Sequence, residues 1–518
     1  MSKERPNVLF LFSDEHNAKC LGHAERSQVS TPALDRLAAE GVRFTHAVAQ
    51  NPICTPSRIS FASGQYCHNH GYYGLAGQPE TPDLLQHVPH VYGHFKAADY
   101  RVGVLGKSHL PPGWVEASCD CFVQHKDPDH GYPAFLCRNG IPVEQSGALS
   151  WTRKIQADGV RRFSNDFGPD ELPHEYSMER WQALQAIDFL KTSADDEAPF
   201  FLQVGFQRPH TPCVPSPEFW EMYPEESLRE PPSAEVDPSG KSPAMRRKRR
   251  QLETLPPEHF VSAPRTYPAM RRRYQRAYFG CITQMDRAIG EILDALERTG
   301  LADNTIVVYS TDHGDFAGEH GLTEKAPGIG ADAVCRIPFL WRWPNHLPAG
   351  HCCDQLVESV DLAPTLCALA GLPSMPTADG QDLSQLLQGG AAAVREIAVT
   401  ENPWSRSVTD NRYRLVLYPK ALYGGQPTGE LYDLQNDPWE MSNLYDDPAY
   451  AGVVNRLRHQ LLDHLITTTR IGSAHPPLDP GGAPYGKGTE AKRHHVDADG
   501  KRGASYLQAI ATCTTNYL

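Results

Sequence analysis

The chain of 518 residues has no apolar stretch near the ~18 residues that a membrane-spanning helix needs. No spanning helix and no membrane partner are therefore expected. There is no excess of basic charge either; the formal net charge is −13, which argues against nucleic acid as a partner. A disulfide framework is also missing. The 13 cysteines are odd in number and scattered without a repeating spacing, so they read as reduced, mostly buried thiols. Cys119-Asp120-Cys121 and Cys352-Cys353 lack zinc-site spacing, and the DADG at 497–500 lacks the other ligands of a calcium loop. The start, MSKERPNVLFLFSDEHN, has no secretory pattern, because the apolar run Val8 to Phe12 is short and no small-residue cleavage site follows it. A cytoplasmic location is the expectation. There is no internal repeat.

What is present is a composition of 40% hydrophobic and 21% charged residues, ordinary for a globular chain. The length predicts one large domain and a smaller one. Four short apolar runs, at 7–12, 101–106, 200–206 and 304–310, have the length of buried strands. Each is followed by polar residues: Asp14 and Glu15, then Lys107 and His109, then Pro209 and His210, then Asp312 and His313. Helical patterns lie between the runs. One opens at Thr31-Pro32 and closes at Gly41; others cover 286–300 and 361–372. Strands alternating with helices predict an α/β fold with a largely parallel sheet covered on both faces. Ligands bind such sheets beyond the carboxyl ends of the strands. An Asp after one strand is usually a turn residue; four such clusters together predict one pocket.

The stretch NPICTPSRIS, 51–60, carries the most specific signal. Pro56 and Ser57 predict a turn entering a helix, whose N-terminus favours negative charge at Cys54. Arg58 lies one turn on. This suits a nucleophile aimed at an anionic ester.

Cys54-Thr55-Pro56-Ser57-Arg58, continuing to Ser63-Gly64, resembles the signature of type I sulfatases of the alkaline phosphatase superfamily. Asp14, Lys107-Ser108-His109, Pro209-His210, Asp312-His313-Gly314 and Lys325 match that family's other elements in order, and Gly429 to Leu444 resembles its C-terminal stretch. The resemblance spans about residues 6–470. It implies an alkaline-phosphatase-like sandwich, with a large mixed, mostly parallel sheet between helices and a smaller C-terminal α+β subdomain. The expected boundaries are 1–395 for the catalytic domain, with a surface excursion at about 225–275, then 396–470 for the subdomain, and 471–518 for a tail or oligomerisation arm.

The resemblance also implies chemistry. A formylglycine-generating enzyme would oxidise Cys54 to an aldehyde. Its hydrate would attack sulfur, and its second hydroxyl would expel the product. Asp14, Glu15, Asp312, His313 and position 54 would hold one divalent ion. Carboxylates suit Ca²⁺, while the imidazole makes Mn²⁺ or Zn²⁺ an alternative. Arg58 would hold the hydrate, Lys107 and Lys325 would neutralise ester oxygens, His210 or Lys325 would protonate the leaving oxygen, and His109 would accept the proton that triggers release. Three positions depart from the family pattern. Glu15 stands where sulfatases usually have Asp, Ser63 where Thr is usual, and His313 where many have Asn. His313 is shared with some sulfatases and with phosphonate monoester hydrolases.

The implied reaction is hydrolysis of a sulfate monoester, with a small anionic ester as substrate; the alternative is a phosphonate monoester or phosphodiester hydrolase using the same site. A metal-independent thiol hydrolase and a non-enzymatic binding protein are further readings. The intact set of Asp14, Arg58, Lys107, His210, Asp312 and Lys325 speaks against the second. Substrate choice is expected in loops 65–80, 110–150 and 400–425. The basic run PAMRRKRRQ, 243–251, reads as a solvated loop. Tyr506, Leu507, Ile510 and Tyr517 give the C-terminal segment something to bury in an arm that embraces a neighbouring subunit.

Overall fold

The four apolar runs become strands that lie side by side. In the computed structural model the first sheet comprises β1 (Asn7–Asp14), β2 (Val42–Val48), β3 (Arg101–Gly106), β4 (Cys121–Gln124), β5 (Phe200–Pro209), β6 (Thr305–Thr311), β7 (Arg336–Arg342) and β8 (His351–Glu358). The structure describes residues 5–75, 85–149, 167–254, 266–326, 328–390, 392–420 and 428–470. The strand order is β4-β3-β5-β1-β6-β7-β2-β8. From β4 to β6 all neighbours are parallel; β7 is antiparallel to both β6 and β2. The sheet is therefore mixed and mostly parallel.

Alternate side chains of β1 feed two cores. Val8, Phe10 and Phe12 pack on one face with Ile59 and Phe61 of α2 (Cys54–Ser63). Leu9 and Leu11 pack on the other with Leu34 and Leu37 of α1 (Pro32–Ala39). Helices α3 (Met178–Ala194) and α5 (Tyr267–Arg298) cover that second face, and α6 (Leu362–Leu369) the first. Each fully buried Leu or Phe contributes about 1.5–3 kcal/mol, so burial on both faces holds the strand ends rigidly.

Two segments differ from expectation. Helix α5 begins at Tyr267, not near Asp286. Its first half alternates arginines with Tyr274, Tyr278 and Phe279, which are all buried, and the arginines hide the apolar spacing. The basic run expected as a solvated loop is helix α4 (Pro243–Glu253). Ser242 caps it by accepting from the Met245 N–H at 3.2 Å, Pro243 suits its first turn, and Arg and Lys are good helix formers. Its inner face buries Ala244, Met245, Lys248, Arg249 and Leu252, while Arg246, Arg247 and Arg250 stay exposed.

A second, antiparallel sheet has the order β12-β11-β10-β9, formed by β9 (Ala398–Asn402), β10 (Ser405–Thr409), β11 (Tyr413–Tyr418) and β12 (Thr428–Asp433). Val454, Leu457 and Leu461 of α7 (Ala451–Thr468) pack on its Val408, Leu415 and Leu431. The described residues up to Thr468 form one compact unit. The expected arm at 471–518, with Tyr506, Leu507, Ile510 and Tyr517, lies outside the described residues. Among the described residues, no helix is long and apolar enough to cross a membrane.

Candidate active site

Strands β3, β5, β1 and β6 are adjacent and parallel, so their C-terminal ends open on one rim. Asp14 ends β1, and Glu15 turns the chain away at φ 67°. Lys107 and His109 follow β3, His210 follows β5, and Asp312 and His313 follow β6. The close pass of β3 against β5 requires Gly205, because a Cβ there would stand 2.0 Å from the Lys107 carbonyl oxygen. Helix α2 brings Cys54 to the same rim as its first residue and ends at Gly64 in the left-handed region, φ 69°. Ser57 Oγ fastens that helix by donating to the Asp312 carbonyl at 2.5 Å.

Arg58 is the hub. Its Nε donates to Asp312 at 2.8 Å and its Nη2 to Asp14 at 2.9 Å. The guanidinium also donates to the carbonyls of Ser13, Lys107 and Ser108 at 3.3 Å and lies 4.6 Å over the Phe12 ring. Lys107 Nζ stands 2.5 Å from the Asp14 carboxylate. Burial alone would raise the Asp14 carboxyl, but Lys107, His210, Arg58 and Lys325 together hold it well below the usual carboxylate range.

Cys54 Sγ lies 3.3 Å from His313 Nε2 and 3.8 Å from an Asp14 carboxylate oxygen. His313 Nδ1 is 2.9 Å from the Gly314 carbonyl, which can only accept. The proton is therefore on Nδ1, and burial keeps the ring neutral by lowering its affinity for a second proton. Nε2 thus presents a lone pair toward Cys54. One ligand atom each from Asp14, Cys54, Asp312 and His313 lies within 4.8 Å of the others. Two carboxylates and a pre-oriented imidazole fit a divalent cation. An unmodified Cys54 thiol is pushed well up by burial and then by the Asp14 carboxylate. A thiolate is disfavoured there, which weakens the thiol-nucleophile reading.

Glu15 falls outside that foursome. Its carboxylate accepts from the Lys325 N–H at 2.7 Å and from Lys325 Nζ at 3.1 Å. With Asp14 and His210 it forms a second group of three ligand atoms within 4.8 Å. The longer arm of Glu reaches Lys325 across the rim. His210 Nε2 stands 3.5 Å from Glu15 and 3.9 Å from Asp14, while its Nδ1 is 2.6 Å from the Thr211 carbonyl. Burial, then Lys325 and Lys107, keep this ring neutral, so Nε2 is bare. His109 adopts φ 51°, and its buried Nδ1 has no hydrogen-bond partner among the described residues. Burial and Lys107 keep it neutral as well.

The structure brings together every residue singled out from the sequence: Asp14, Glu15, Cys54, Arg58, Lys107, His109, His210, Asp312, His313 and Lys325. Sequence reasoning missed Tyr278, whose hydroxyl donates to the Glu15 carbonyl at 2.7 Å and accepts from the Asn17 N–H at 2.9 Å. It pins the turn after β1 from the half of α5 that the arginines concealed.

Comparison with known proteins agrees with this geometry. A family model described as Sulfatase matches residues 6–372, and one described as N-sulphoglucosamine sulphohydrolase, C-terminal, matches residues 318–467. The chain is 28% identical to an arylsulfatase of Clostridium perfringens over 481 residues, 89% of this chain and 94% of the relative. It is 27% identical to a choline-sulfatase of Rhizobium meliloti over 482 residues, 86% of this chain and 84% of the relative. Among solved structures, the phosphonate monoester hydrolase from Silicibacter pomeroyi superposes with a TM-score of 0.74 at 23% identity, covering 90% of this chain and 96% of that one.

Proposed function

The chain belongs to the sulfatase family, sulfuric ester hydrolases of the alkaline phosphatase superfamily, and on that premise we propose that it hydrolyses a sulfate monoester through a formylglycine made from Cys54 beside one divalent ion. The observation that supports this most is the position of Cys54. It heads a buried helix, faces the bare Nε2 of His313, and sits within reach of Arg58 and two carboxylates.

Formylglycine made at position 54 would supply a hydrated aldehyde as the nucleophile. The ion, Ca²⁺ by the carboxylates with Mn²⁺ or Zn²⁺ as alternatives, is held by Asp14, Asp312, His313 and position 54 and supplies Lewis acidity. Everything else is the chain's own work. Arg58, fixed by Asp14 and Asp312, orients position 54. Lys107 and Lys325 face the ester oxygens and neutralise the charge that develops there. The neutral His109 accepts a proton at the ring. Lys325 Nζ carries the proton for the leaving oxygen, because His210 Nε2 holds none. A formylglycine-generating enzyme is the maturation partner.

A phosphonate monoester or diester hydrolase is the second reading, favoured by His313 after Asp312 and by the superposition on such an enzyme. Mass spectrometry of the unalkylated tryptic peptide FTHAVAQNPICTPSR, 44–58, tests the mechanism. Conversion exchanges sulfur for oxygen, removes two hydrogens and makes the peptide lighter. An unconverted Cys54 in active protein from the native host refutes it. The kcat/KM ratio for phenyl sulfate against phenyl phenylphosphonate then decides between the two readings.

A further inference from the structure

Strand β4 adds a fifth end to the rim. It runs parallel to β3 with Gln124 paired to Gly106, and the His125 N–H donates to the Gly106 carbonyl at 3.1 Å. The chain leaving β4 therefore stands beside Lys107. Gln124 spends its carbonyl oxygen on Ser108, accepting from the N–H at 3.3 Å and from Oγ at 3.2 Å. Its buried Nε2 has no partner among the described residues, and neither ring nitrogen of His125 has one. His125 is only 6% exposed. With His109 Nδ1, four buried nitrogens on two adjacent strand ends stand open.

Folded proteins pair roughly 90% or more of such groups, so open nitrogens on the successive residues Gln124 and His125 point to a ligand. Its chemistry follows from the surroundings. Burial, then Lys107 and Lys126, lower His125 to about 3, so the ring is neutral and carries one donor. The Gln124 amide brings further donors, and Lys126 adds a positive charge beside the ring. That combination recognises acidic oxygens.

We infer that the ends of β3 and β4 form a second anion subsite, in which Gln124 Nε2, the His125 imidazole and Lys126 hold a carboxylate or sulfate borne by the alcohol half of the substrate. The inference rests on the sulfate-ester reading and narrows it to esters that are doubly anionic. The reacting ester sits over Cys54, and the second acid sits on the β4 side of Lys107.

The test compares kcat/KM for phenyl sulfate and meta-carboxyphenyl sulfate in the metal-loaded, converted enzyme. The wild type is expected to prefer the carboxylated ester by about tenfold or more. In Gln124→Glu, which keeps the oxygen that Ser108 uses but turns the open amide into a like charge, the ratio falls to one or below. In His125→Leu it falls toward one, and in His125→Asn, which retains a donor, it recovers in part. Melting temperatures report folding; if His125→Leu does not fold, Gln124→Glu decides. A wild-type ratio near one, or a ratio that Gln124→Glu leaves unchanged, overturns the subsite while leaving the sulfatase reading intact. Failure of the wild type to release sulfate from either ester refutes that reading and the subsite with it.

Discussion

Replacing Arg58 by Met isolates what the hub does for the fold before any substrate arrives. Arg58 is buried and makes two charge-assisted hydrogen bonds, 2.8 Å to Asp312 and 2.9 Å to Asp14. Bonds to charged groups contribute about 1.5–3 kcal/mol each. The two ends are not equal, however. Asp14 keeps Lys107 at 2.5 Å. Among the described residues, Asp312 keeps as hydrogen-bond donors the N–H groups of Glu15 and His313, at 3.0 and 2.9 Å on its other oxygen. One carboxylate oxygen is left buried and unpaired. Breaking a buried pair in this way costs about 3–5 kcal/mol, and the surviving Lys107 contact puts the expected loss at about 3 kcal/mol. The assay is urea denaturation of chelator-treated parent and variant, read as the shift in midpoint at a common slope. Adding a divalent ion should return part of the loss, since it binds the folded carboxylates and not the unfolded chain. Arg58→Lys, which keeps charge but not the fork, should fall between parent and Met variant. A chelated Met variant within ~0.5 kcal/mol of the parent, the range of an ordinary surface change, would refute the account of Arg58 as the partner of both carboxylates.

Three further outcomes are expected. Lys325→Met should slow an alkyl sulfate by about 10²–10⁴-fold and a nitrophenyl sulfate much less, because only the poor leaving group needs the proton; equal losses on both in steady-state kinetics would remove Lys325 as the donor. Gly205→Ala should cost about 1–3 kcal/mol and displace the main chain of Lys107, with activity falling by about 10²-fold for a shift near 1 Å; unchanged kcat/KM would show that the close pass against β5 does not position the lysine. Buried His70 is lowered to about 3 by desolvation, accepting from the Tyr72 N–H at 3.1 Å and facing Ser60 Oγ at 3.0 Å. Its folded pKa lies below the unfolded value near 6.5, so the unfolded chain takes the proton first and stability falls as pH drops. Between about pH 6.5 and 5 the loss is ~2 kcal/mol, and His70→Gln should flatten that part of the denaturation profile; a variant with the parent's slope sinks the assignment.

The parts of the site legible in the sequence are those set by local chain chemistry. Each of the strands β1, β3, β5 and β6 is an apolar run followed by residues of the candidate site, and a parallel sheet turns that repeated local feature into one convergent rim. Helix α2 is equally local, its start written in Pro56 and its end in Gly64. What escaped was set by partners far away in the chain. Glu15 reads as a ligand in the sequence, and only the fold shows Lys325 Nζ 3.1 Å from its carboxylate. The inner face of α4 is hidden because Arg and Lys bury their stems while staying polar in any hydropathy pattern. Strand β4, only the four half-buried residues Cys121–Gln124, is too short to show a period, so Gln124 and His125 passed unnoticed although they follow the same rule as the other four ends.

The balance of charge at the rim explains how these residues work together. Asp14, Glu15 and Asp312 face Arg58, Lys107 and Lys325, and every cation is already engaged: Arg58 by Asp14 and Asp312, Lys107 by Asp14, Lys325 by Glu15. Burial raises the Glu15 carboxyl well above its usual range even beside Lys325, while Arg58 and Lys107 are paired with Asp14 and Asp312; paired cations make a stable floor but a weak anion trap. A dication taken up by Asp14 and Asp312 would draw on the carboxylates that neutralise Arg58 and Lys107, and the fields of those cations would turn toward an ester. Ion and substrate would then bind cooperatively, each raising the affinity of the other by the same factor. A protein that used the lysines alone would need to leave them unpaired and buried, at a cost of several kcal/mol each. Pairing them with carboxylates that an ion could share keeps the fold stable beforehand and would deliver positive charge only where an ester is bound.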